Sequence, residues 1–125
     1  MRAAAAFGRL SPTIGAEAFR RLLDAEPRFR HMFGGSKTKL RDQFMSVLSA
    51  ALVARADVGR FPSLTTHRLE HLARENRKFG VAPGDYATLS GHLLDVFGER
   101  LPAGADSDSQ VDALRGILDE AMAII

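Results

Sequence analysis

Apolar residues recur along this chain three and four positions apart, the spacing of one face of an α-helix, and nowhere alternate long enough to read as a strand. Proline and glycine cut the pattern into segments. Ala3 to Leu10 predicts a short, frayed helix. Ser11-Pro12 predicts a new start, because the serine side chain can accept from the orphan amides of a first turn and Pro12 has its φ pre-set for that turn. From there Ile14, Ala18, Phe19, Leu22 and Leu23 mark one face. The run stops before Pro27, which disfavours a helical residue in front of it. A short turn from Pro27 to Phe33 follows. Gly34-Gly35 breaks the chain, Ser36 can cap, and Leu40, Phe44, Val47, Leu48, Ala51 and Leu52 stripe a longer helix that ends near Gly59.

The next helix begins after Pro62, carries Leu64, Leu69, Leu72 and Phe79, and ends at Gly80, where a left-handed C-terminal residue is expected. Another opens at Pro83, presents Tyr86, Leu89, Leu93, Val96 and Phe97, and closes at Pro102. Ser107 with Gln110 three residues on has the form of a capping box. Val111, Leu114, Ile117, Leu118, Ala121 and Ile125 then give the last stripe. The whole predicts a single all-α domain over residues 1–125.

Composition narrows what such a domain does. With 125 residues and 46% hydrophobic positions there is material for one core and no room for a second domain. No apolar run approaches the ~20 residues of a membrane crossing, and MRAAAAFGRL is too short and too soon interrupted for a secretory leader, so a soluble cytoplasmic protein without a membrane partner is expected. The absence of cysteine excludes disulfides, thiolate metal sites, a cysteine nucleophile and a thioether-linked cofactor. The net charge is +2, and the 14 Arg and 3 Lys are interleaved with Asp and Glu along the chain rather than gathered on one face, so nucleic acid is not an expected partner. No nucleophile elbow, phosphate loop, H-E-x-x-H or paired-carboxylate pattern argues for an enzyme. His67 and His71 have the i, i+4 spacing of a metal clamp, but among Arg68, Glu70 and Arg74 and with no third ligand they read as a solvated face, and no metal site is predicted.

Two stretches carry a resemblance. Phe19-x-x-Leu22-Leu23-x-x-x-Pro27-x-x-x-x-x-Phe33 resembles the second and third helices of the globin family, where F-x-x-L-F-x-x-x-P precedes L-F or M-F. Leu69-x-x-Leu72-Ala73-x-x-Asn76-x-x-x-Gly80-Val81-x-Pro83-x-x-Tyr86 resembles the stretch around the proximal iron ligand, which in bacterial members reads L-x-x-L-A-x-x-H-x-x-x-G-V-x-P-x-x-Y. The similarity covers nearly the whole chain, with one departure that matters: Asn76 stands where the iron-binding histidine belongs. It implies a globin-like fold of about six to seven helices, with a shortened first helix and no separate fourth.

The resemblance also implies a pocket. Phe33 would wedge against a porphyrin, Phe19, Leu40 and Phe44 would line its distal side, and Leu72, Asn76, Val81 and Tyr86 its proximal side, though plain core packing accounts for apolar residues at these spacings equally well. Arg41, Arg74, Arg77 and Lys78 near the mouth would pair with propionates. An amide is a poor substitute for the imidazole that holds haem iron. His71 lies about 140° and His67 about 180° round the helix from Asn76, so neither is expected to reach the same point.

Three functions stay open. The first is non-covalent binding of a tetrapyrrole without histidine-ligated iron, a linear bilin of the biliverdin type. The second is a haem protein for oxygen or another diatomic with unusual ligation, through Lys39, His71 or Met45. The third is a haem-free globin with no cofactor, acting as a sensory or protein-interaction module, with a homodimer through its last two helices.

Overall fold

A computed structural model describes residues 2–30, 38–78, 80–102 and 106–125. Among them the chain is helical and has no strand. Five α-helices run α1 (Arg2–Ala25), α2 (Thr38–Val58), α3 (Ser63–Lys78), α4 (Pro83–Arg100) and α5 (Ser107–Ile124), with a 3-10 turn at Pro27–Phe29 between α1 and α2. The all-α reading therefore stands, and most breaks fall where proline or glycine predicts them.

The difference lies at Pro12. Instead of starting a second helix it sits inside α1, which is neither short nor frayed. Pro12 has no N–H to give Gly8, and proline in a helix interior costs about 3 kcal/mol. Packing offsets this. Ala3, Ala4, Ala6 and Phe7 before the proline and Ile14, Ala18, Phe19 and Leu22 after it are all buried, on one unbroken helical face. Complete burial of a single large apolar side chain is worth about 1.5–3 kcal/mol, so a second buried stretch in phase with the first outweighs the lost bond. Sequence punctuation misleads here because it registers the proline and not the continuity of the face. The last helix likewise starts a residue early: its N-cap is Asp106, whose carbonyl accepts the Gln110 N–H at 3.0 Å, in place of the expected Ser107. The predicted break and cap at Gly34, Gly35 and Ser36 lie outside the described residues.

Helix α1 packs on both α2 and α4, and α5 lies across α4, α2, α1 and α3. The core is continuous through all of them. Phe7 meets Phe97 with ring centroids 6.1 Å apart, Phe19 meets Phe44 edge-on at 5.9 Å, and Phe44 stacks on Tyr86 at 6.3 Å. Ion pairs tie the outside of the bundle: Arg21 to Glu99 joins α1 to α4, Arg55 to Glu120 joins α2 to α5, and Arg28 of the 3-10 turn reaches Asp85 of α4.

The C-terminus of α3 fixes the site that follows. Gly80 has φ +88°, the Val81 N–H returns to the Asn76 carbonyl at 3.3 Å, and the Gly80 N–H returns to the Arg77 carbonyl at 3.0 Å. These paired returns form a Schellman closure, which satisfies the last carbonyls and turns the chain sharply into Pro83. A Cβ in this left-handed conformation is penalised, so Gly80→Ala is expected to lower the unfolding free energy by about 1–2 kcal/mol in urea titration. An unchanged midpoint would show that the turn relaxes freely.

Candidate functional site

The residues that the resemblance assigns to one pocket divide between two spaces that meet at Asn76. The inner space lies between α1, the 3-10 turn, α2 and α4. Phe19, Leu22, Phe29, Phe44, Asn76, Val81, Asp85, Tyr86 and Leu89 surround it, and its volume is about 10 Å³. That holds at most one water molecule. Phe19, Phe44, Val81 and Tyr86 are thus brought together as expected, but their own rings fill the space between them.

The outer space is a groove of about 600 Å³ between α2 and α3. Gln43 and Val47 face it from α2, and Leu72 and Asn76 from α3. His67, Arg68, His71 and Glu75 border it along α3. Leu72 and Asn76 are buried and Val47 half-buried, so the base is apolar apart from the Asn76 amide, while exposed Gln43, His67, Arg68 and His71 and half-buried Glu75 lie around it. The side chains that face the groove repeat at helical spacing: Val47 follows Gln43 by one turn, and Asn76 follows Leu72 by one turn.

Asn76 is 5% exposed, and its Nδ2 donates to the Tyr86 hydroxyl at 3.2 Å. This satisfies one of two amide groups in a place where an unpaired polar atom costs about 1–3 kcal/mol. Burial raises the Tyr86 phenol above its usual 10.0, with the Asn76 hydrogen bond acting the other way, so the hydroxyl stays neutral at physiological pH. Asp85, one residue earlier, accepts the Ala82 N–H at 2.7 Å and the Arg28 guanidinium, which holds the first turn of α4 and with it Tyr86.

The remaining sequence expectations are met in part. Of the four cations assigned to carboxylate pairing none borders the groove. Arg41 is half-buried beside the crevice between α1 and α2 and pairs with Asp42 at 3.0 Å; Lys78 pairs with Glu75 at 3.0 Å; Arg74 and Arg77 are exposed on α3. Arg68 is the guanidinium at the groove instead. Phe33 and the side chains of Leu40 and Lys39 lie outside the described residues. Met45 is buried beside the α1–α2 crevice and so faces away from the groove. His67 and His71 come nearer than the angular reckoning implies, since both border the same groove as Asn76. They do so at its edge, His71 with 64% of its side chain exposed.

Gln43 and Val47 were not singled out as a pair from the sequence. The resemblance implies Leu40 and Phe44 as the lining from this helix, and Phe44 is about 100° round it from Gln43. An amide one turn before an aliphatic residue, at the edge of the apolar stripe, was the available sign of a wet groove rather than a dry core.

The geometry tests whether histidine-ligated haem fits. At the base of the groove stands an amide whose nitrogen is already committed to Tyr86, and no imidazole shares that place. Conventional proximal ligation does not fit these residues. Among the described residues no three His, Cys, Asp or Glu side chains converge on a metal position, and no helix is long and apolar enough to cross a membrane. No protein family, curated protein or solved structure matches this chain.

Proposed function

We propose that this chain is a globin-like protein that binds a tetrapyrrole without histidine-ligated iron, a linear bilin of the biliverdin type, in the groove between α2 and α3. The observation that carries the reading is the groove's combination of size and lining. Its volume of about 600 Å³ lies in the ~300–1,000 Å³ range of small-molecule sites. Val47 and Leu72 offer apolar faces from opposite helices to a flat conjugated ligand. Gln43 and Asn76 supply neutral hydrogen-bonding groups, and Arg68 with His67 and His71 supplies partners for propionates. The sequence resemblance gives the globin frame and the missing histidine gives the departure from haem. With no cysteine, attachment would be non-covalent. In this reading the protein carries or senses its ligand and performs no chemistry on it.

A second reading, a ligand-free globin-like interaction module, draws support from the inner space, which the chain's own aromatic rings reduce to about 10 Å³.

Absorbance titration separates them. Biliverdin added to the purified protein is expected to give a narrowed, red-shifted band with a Kd of about 1 μM or tighter, equivalent to about 8 kcal/mol. A sharp Soret band with haemin and none of the bilin change would move the assignment to the haem alternative. No change with either ligand would leave the interaction module.

A further inference from the structure

Asn76 borders both the filled inner space and the open groove. Its nitrogen is spent on the Tyr86 hydroxyl at 3.2 Å, on the inner side, where Tyr86 stacks against Phe44. Its backbone carbonyl accepts the Val81 N–H at 3.3 Å as part of the turn that ends α3. The Asn76 side chain has that one hydrogen bond within the protein, yet among the described residues only Ser49 Oγ is a sealed, unpaired side-chain polar atom, so Asn76 Oδ1 is open to solvent, and the open space beside it is the groove. That atom accepts hydrogen bonds and cannot donate them. The groove therefore has a fixed acceptor at its base, between the apolar faces of Leu72 and Val47.

Such a group discriminates among flat ligands by their N–H groups. In haem all four central nitrogens are bound to iron and none carries a proton. An open-chain, metal-free tetrapyrrole keeps pyrrole N–H donors along its concave edge. Burying those donors without an acceptor is unfavourable, and specificity of this kind, set by pairing or failing to pair a buried donor, is larger than what apolar contacts alone provide. Resting on the function proposed above, we infer that Asn76 Oδ1, oriented by Tyr86, accepts a hydrogen bond from a pyrrole N–H and so selects metal-free, open-chain tetrapyrroles over haem. Asn76 is then the specificity-determining residue of the groove, and Tyr86 its positioning residue.

The test uses the full chain, with biliverdin and haemin as probes. Asn76→Leu keeps the volume and removes the acceptor. It is expected to weaken biliverdin binding ~10-fold, about 1.4 kcal/mol, and to shift the bound red band to shorter wavelength, while haemin binding does not weaken. Asn76→Asp restores an acceptor and is expected to restore both the affinity and the band. A structural role alone would not make band position follow the acceptor. Should Asn76→Leu lose its cooperative thermal transition, Tyr86→Phe decides in its place, because it frees the amide to rotate: weaker binding with a displaced band supports the inference, and unchanged values overturn it. If Asn76→Leu folds and binds biliverdin as the parent does, with the same band, the inference fails and the proposed function stands. If the parent binds no biliverdin, both fail.

Discussion

Phe44→Ala is expected to lower the unfolding free energy by about 3–5 kcal/mol, a large fraction of what a domain of this size possesses. Phe44 is 1% exposed and sits at the centre of the aromatic group, edge-on to Phe19 and stacked on Tyr86. Its removal deletes the transfer energy of a benzyl group and both ring contacts. It also leaves a cavity that the neighbouring rings close only in part, because Phe19 is held in α1 and Tyr86 in α4. Chemical denaturation measured by circular dichroism reads the loss. A change under about 1 kcal/mol would mean that Tyr86 and Phe19 collapse onto each other and that the filled interior is easily rearranged. The same variant bears on the site, since the space it opens adjoins Asn76, which the inner space shares with the groove.

Asn76→His is expected to turn a protein without conventional haem ligation into one that binds haemin with a sharp Soret band. The substitution puts an imidazole at the base of the groove. One ring nitrogen can donate to the Tyr86 hydroxyl, as the amide does now at 3.2 Å, and this hydrogen bond would fix the tautomer that leaves the other nitrogen free as a ligand. Even partners that only orient a ligand change metal affinity by ~10–100-fold, so introducing the ligand itself should increase haemin affinity by at least that factor over the parent. Absorbance and haemin titration of the two proteins side by side give the comparison. If the variant folds and shows no Soret band, the groove does not admit a macrocycle, and the interaction-module reading gains accordingly.

Much of the fold was legible because its breaks are chemical. Pro27, Gly59, Pro62, Gly80, Pro83 and Pro102 each stand where a helix stops or starts, and Gly59 and Gly80 take the positive φ that such ends require. What was not legible depended on partners distant in sequence. Pro12 resembles a helix start until Phe7 and Ile14 are seen to share one buried face. Asp106 and Ser107 are both residue types that suit a cap, and the backbone puts Asp106 there, with its carbonyl accepting the Gln110 N–H and no side-chain cap bond.

The site divides in the same way. Asn76 and Tyr86 are implied together by the one continuous stretch that carries the resemblance, and the turn between them brings them within hydrogen-bond distance. Gln43 and Val47 belong to a different helix, and their relation to Leu72 and Asn76 exists only once α2 lies beside α3. The resemblance implies Phe44 as pocket lining, and it is inside the core. The groove edge is amphipathic, and hydrophobic spacing by itself does not separate a wall that faces solvent from one that faces other side chains.

Helix α3 carries the groove's more polar wall and is lightly held. Among the described residues it buries Leu69, Leu72, Ala73 and Asn76, packs its backbone against α2 and α5, and reaches α4 through the Asn76–Tyr86 hydrogen bond, whereas α4 buries seven side chains. Segments with few buried contacts open at a fraction of the global unfolding cost. This wall is expected to open more readily than the rest, so that its amides exchange with solvent sooner than those of α1 or α4 in a hydrogen-exchange experiment. The proposed ligand, bridging α2 and α3, would then act as a clasp on this helix. By mass action it adds about 2.7 kcal/mol of protection when present at a hundred times its Kd.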